Sequence, residues 1–143
     1  MSTSVVDASV AAKWFLPAKQ EPLVDEALLL LNAYSAGQIQ FVVPDLFWAE
    51  FGNILWKAVR QGRCSKRAGE TAIASLKQRN LPTVSSSALL DLAFRIATAF
   101  DRTVYDCLYI ALAVESNSQF ITADERLANS VAAHLPVKWL GAI

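Results

Sequence analysis

The stretch Val5-Val6-Asp7-Ala8-Ser9 decides how the rest of the chain is read. Two adjacent β-branched residues have the pattern of a short buried strand, and Ser9 is placed to cap a following helix. An acid at the end of such a strand needs a reason, because a carboxylate costs free energy in apolar surroundings. A bound metal ion is one reason. Helix capping is the other.

Working outward, Ala8 to Leu16 has helical spacing and stops at Pro17. Pro22 opens a second helix from Leu23 to about Ala36, with Gly37 as its C-cap. Gln40 to Val43 reads as a strand ended by Pro44. Asp45 is placed to cap a long helix reaching about Gln61, where Gly62 closes it. Ser65 caps the next, to about Arg79. Leu81 to Ser85 contains Pro82 and predicts an edge strand or extended loop. Helices start at Ser87 and Thr103 and run to about Phe100 and Ser116. Gln119 to Thr122 is a strand, Asp124 to about Val131 a short helix, and Val137 to Leu140 a final strand. This alternation predicts an α/β fold: one domain over residues 1–143, with a mostly parallel central sheet of four or five short strands and helices on both faces.

A chain of 143 residues fits one domain, and 54% hydrophobic content with five Gly and five Pro predicts regular, packed structure instead of disorder. No basic stretch precedes Asp7, so no secretory signal is expected, and no apolar run approaches the ~20 residues of a membrane span. A cytoplasmic protein without membrane attachment is the expectation. Cys64 and Cys107 form no C-x-x-C and His134 is the single histidine, which argues against a disulfide framework, a zinc site and His-based triads. No G-x-x-x-x-G-K or G-x-G-x-x-G occurs, and Asp7-Ala-Ser9 lacks the second acid of an aspartyl-phosphate motif. Thirteen basic and thirteen acidic residues balance, which disfavours a globally basic nucleic-acid binder and leaves room for a local patch.

Four acids stand in apolar contexts: Asp7, Glu50 in Phe-Trp-Ala-Glu-Phe, Asp106 in Val-Tyr-Asp-Cys-Leu-Tyr, and Asp124 after Phe-Ile-Thr. Three have a structural explanation. Thr103-x-x-Asp106 and Thr122-x-x-Glu125 resemble capping boxes, and Asp7 precedes a helix. Glu50 does not, because it lies more than a turn inside its helix among Phe47, Asn53 and Ile54. Functional groups in open parallel sheets gather beyond the carboxyl ends of strands, where Asp7 and Asp124 fall. Carboxylates meeting there would repel one another, and Mg²⁺ or Mn²⁺ relieves this with oxygen ligands alone. Such a site can activate water for attack on a phosphodiester.

The residues then resemble a known family. Val-Val-Asp7-Ala-Ser9, Pro44 followed by Glu50-x-x-Asn53-x-Leu55, Tyr105-Asp106-x-x-Tyr109-x-Ala111-Leu-Ala113, and Ile121-Thr122-Ala-Asp124-x-x-Leu127 are similar, in order and spacing, to PIN-domain ribonucleases of the VapC toxin type. The resemblance implies a parallel sheet with the first strand central. It also implies a metal-holding cluster of Asp7, Glu50, Asp106 and Asp124, with Ser9, Asn53 and Thr122 as polar supports. RNA as substrate, a homodimer and inhibition by a cognate VapB-like antitoxin are implied with it. The alternative is a non-catalytic PIN-like RNA-binding or regulatory module.

Lys57, Arg60, Arg63, Lys66 and Arg67 crowd around Gly62. They read either as cations solvating a helix end or as a phosphate-tracking surface for RNA. Phe47, Trp48, Phe51, Leu55 and Trp56 make the long helix apolar on more than one side, which points to core packing and to contact with another chain. Tyr105 and Tyr109 read as packing residues.

Overall fold

The computed structural model describes residues 2–143. Its strands are β1 (Ser2–Val6), β2 (Ile39–Pro44), β3 (Thr83–Val84), β4 (Gln119–Thr122) and β5 (Val137–Trp139). They form one sheet in the order β3-β2-β1-β4-β5, and every neighbouring pair is parallel. The first strand is thus central. Val5 pairs with Val42 on one side and Phe120 on the other. Val5 and Val6 are fully buried, as strands covered on both faces require.

The helices are α1 (Ala8–Ala12), α2 (Val24–Ser35), α3 (Leu46–Arg60), α4 (Lys66–Lys77), α5 (Ser86–Phe100), α6 (Val104–Glu115) and α7 (Glu125–Val131). Right-handed crossovers put the helices of connections running outward from β1 to β3 on one face, and those of the returning connections on the other. The packing of α1 on α3 and of α5 on α6 agrees. The direction reverses between β1 and β4, so a crevice opens where those two strands end. In α6 every residue from Cys107 to Ala113 is buried, so its central two turns are enclosed on all sides.

Local chemistry explains most boundaries. Ser65, Ser85 and Thr103 each accept a backbone N–H at a helix start. α1 is shorter than its spacing predicts. Lys13, Trp14 and Phe15 tighten into three-residue turns, and the Trp14 indole N–H donates to the Ala27 carbonyl at 2.8 Å, which draws the chain onto α2. Asp45 does not cap α3. Its carboxylate instead accepts from the backbone and hydroxyl of Ser86, at the start of α5. Phe47, Phe51 and Leu55 all belong to the core, so most of the apolar surface of α3 faces inward and chiefly Trp56 stays exposed.

Candidate active site

β1 delivers Asp7 and β4 delivers Thr122 and Asp124 to the crevice where the strands end. Asp7 has extended backbone and caps α1, its Oδ1 accepting the Ser9 N–H at 3.3 Å. Its Oδ2 accepts the Thr122 hydroxyl at 2.7 Å. That same Thr122 oxygen accepts the Asp124 N–H at 3.0 Å, so one fully buried threonine ties the two strand ends together. Asp124, not Thr122, caps α7, accepting the Leu127 N–H at 3.1 Å. Thr103 caps α6 through the N–H of Asp106 at 3.1 Å. Asp7 and Asp106 thus have the helix-start roles their spacing predicts, Asp124 is itself a cap where Thr122 was expected to be one, and none of this displaces a second role. An N-cap uses few of the roughly four acceptor positions of a carboxylate.

Glu50 is the acid that capping leaves unexplained, and its partner is Tyr109. The Tyr109 hydroxyl donates to Glu50 Oε1 at 2.5 Å. Asn53, predicted as a support, is exposed and makes no side-chain hydrogen bond among the described residues. Tyr109 does pack, as its sequence setting predicts, stacked on Phe120 with ring centres 4.9 Å apart. No local spacing links it to Glu50, because the two are 59 residues apart.

The electrostatics tie the acids to one another. Asp7 keeps some exposed side-chain area, yet its carboxylate is enclosed by protein. This burial holds its titration above the ordinary range, against the hydrogen bonds of Thr122 and Ser9 and with help from the charge of Asp106. Burial also raises Glu50, opposed by Tyr109 and reinforced by the charges of Asp7 and Asp106. Asp106 is raised by burial and by Asp124, while Thr103 and the Arg102 guanidinium pull the other way. No salt bridge among the described residues involves any of the four. Arg102, which no sequence motif singles out, is the cation felt by Asp106.

The donor set fits a hard divalent cation, being made of carboxylate and hydroxyl oxygens. As arranged, the described residues bring no three acidic, His or Cys side chains onto one point. A hollow of about 450 Å³ between α3 and α4, lined by Trp48, Phe51, Gly52, Ile73 and Leu81, contains none of the four acids.

The basic cluster divides. Arg63 turns inward and pairs with Glu21 at 2.5 Å, and Glu21 also holds the buried Lys13 at 3.2 Å. Lys66 lies 3.9 Å from Glu70, and Arg60 sits over the Trp56 ring at 5.5 Å. Lys57, Arg60, Lys66 and Arg67 are exposed. Lys57 lies two turns beyond Glu50 on the same side of α3, about 10 Å along the helix.

A PIN-domain family model matches residues 4–132. Ribonuclease VapC3 of Pyrobaculum aerophilum is 30% identical over 131 residues, covering 90% of this chain and 95% of that protein. The crystal structure of PAE2754 from Pyrobaculum aerophilum superposes with a TM-score of 0.69 at 21% identity, covering 99% of this chain and 85% of that one. A toxin–antitoxin complex from Klebsiella pneumoniae gives 0.62 at 14% identity, over 94% and 95% of the two chains. At those identities the structures establish the shared fold alone. The chain belongs to the PIN-domain family and is VapC-like within it.

Proposed function

We propose that this protein is an endoribonuclease toxin dependent on Mg²⁺ or Mn²⁺ and restrained by a VapB-like antitoxin. The observation that carries this is the gathering of acids where β1 and β4 end: Thr122 joins Asp7 to Asp124, Tyr109 holds Glu50, and no salt bridge among the described residues engages any of the four acids. The VapC3 relative, named a ribonuclease, supports RNA as substrate. Buried acids that repel one another weaken the fold, and a bound dication would offset both the repulsion and the cost of keeping their charge out of water.

When bound, the ion would supply charge neutralisation and activation of water at a phosphodiester. Asp7, Asp106 and Asp124 would hold it directly or through water, and Glu50 completes the set. Thr122 and Ser9 orient the Asp7 carboxylate while leaving each oxygen an unused acceptor position. Lys57, Arg60, Lys66 and Arg67 would guide the RNA backbone along the end of α3.

Two apolar surfaces support partners. The groove between α3 and α4, with Trp56 and Ile73 exposed, is fit to be covered by antitoxin. On α5, Leu90 and Phe94 are exposed beside Asp91 and Arg95. We assign the homodimer contact to this face, where a self-complementary patch would need apolar area with charges of both signs beside it. No helix among the described residues is long and apolar enough to cross a membrane, and cytoplasmic action belongs to the same proposal. The test is cleavage of a generic RNA with Mn²⁺. Activity should vanish in EDTA and in Asp7→Asn with the circular dichroism unchanged, and retained cleavage by that variant refutes the assignment.

A further inference from the structure

Tyr109 stands where a phenylalanine would serve if packing were its whole task. Its ring is 2% exposed and lies flat on Phe120, with 15° between the planes. A hydroxyl buried there is costly unless it is bonded, and its bond goes to Glu50. The charge of Asp7 is felt at this hydroxyl, which sets it near the end of β1. Tyr109 follows Asp106 by three residues on α6, so one helix supplies an acid and the anchor of another acid.

Glu50 needs that anchor. It has three rotatable bonds, it projects from a different helix, and the charges of Asp7 and Asp106 push against it. The Tyr109 hydroxyl fixes Oε1, and Oε2 takes no protein hydrogen bond among the described residues. One oxygen is held and the other is offered.

We propose that Tyr109 is a positioning residue of the acidic site, its hydroxyl holding Glu50 by one oxygen so that the other is set to meet a divalent ion. This rests on the metal-dependent function proposed above. Outer-shell donors of this kind orient metal-ligating carboxylates, and their loss weakens ion binding by about 10–100-fold.

The experiment is a Mn²⁺ titration of the protein alone, following free Mn²⁺ by electron paramagnetic resonance, for wild type, Tyr109→Phe, Glu50→Gln and the double variant. Tyr109→Phe should keep its circular dichroism and bind Mn²⁺ at least tenfold more weakly. In the Glu50→Gln background the same change should have no further effect, because the hydroxyl acts through that carboxylate. Equal affinity of Tyr109→Phe and wild type overturns the inference and leaves the metal-dependent function standing. So does an equal loss in both backgrounds. Loss of the cooperative fold in Tyr109→Phe overturns it too, since the hydroxyl would then be a structural requirement. A wild type that binds no Mn²⁺ at millimolar concentration brings down the proposed function itself.

Discussion

Replacing Thr122 by Val removes the one oxygen that joins the two strand ends while keeping shape and burial. Two bonds go: the donation to Asp7 Oδ2 at 2.7 Å and the acceptance of the Asp124 N–H at 3.0 Å. A hydrogen bond to a charged group contributes about 1.5–3 kcal/mol and a neutral one about 0.5–1.5 kcal/mol, so the loss is about 3 kcal/mol. For a chain of this length that lowers the melting temperature by roughly 10 °C. The pH dependence is the sharper signature. The Asp7 carboxyl titrates above its ordinary value because it is buried, and the Thr122 bond stabilises its ionised form. That contribution is present above the folded-state pKa of Asp7 and fades as pH falls through it. The gap between wild type and Thr122→Val, measured by thermal unfolding in EDTA, should be full at pH 8 and narrow toward acid. Thr122→Ser keeps the hydroxyl and should show a smaller gap, flat in pH. A Thr122→Val gap that is absent, or that widens on acidification, refutes the bridging role.

In Asp7→Asn the cap is kept, since Asn caps as well as Asp, while a buried and repelled charge is removed. The apo variant should melt slightly above wild type at pH 8. Wild type should gain about 2.7 kcal/mol at a Mn²⁺ concentration of 100 Kd and the variant far less, seen by differential scanning fluorimetry. Its RNA cleavage should fall by more than the ~10–100-fold typical of outer-shell losses, in a fluorogenic assay. Glu21→Gln leaves Lys13 and Arg63 without their shared partner, and chemical denaturation should show a loss of about 3 kcal/mol. Lys57→Gln and Arg67→Gln should leave melting unchanged and lower the log–log salt slope of RNA binding by about 0.7 each, read by fluorescence anisotropy.

Element order and the parallel sheet were legible because strands, caps and turns rest on local chemistry. β-branched pairs, caps at Ser65 and Thr103, and the Pro82 edge strand are read over a few residues, and the fold has them where that reading puts them. Where a side chain had a choice of partners, short-range reading failed. Asp45 looked like the cap of its own helix and serves Ser86, 41 residues away. Arg63 looked like part of a free basic patch and is held by Glu21, 42 residues away.

What the chain determined by itself is which residues are chemically out of place: an acid after two valines, and another in the middle of an aromatic helix. What tertiary structure decided is who satisfies them. Thr122 reaches Asp7 across 115 residues, and Tyr109 reaches Glu50 across 59. The reason is physical. A buried polar atom must find a partner, but the partner is chosen by which strand ends and helices the sheet order brings together, and no periodicity along the chain encodes that distance.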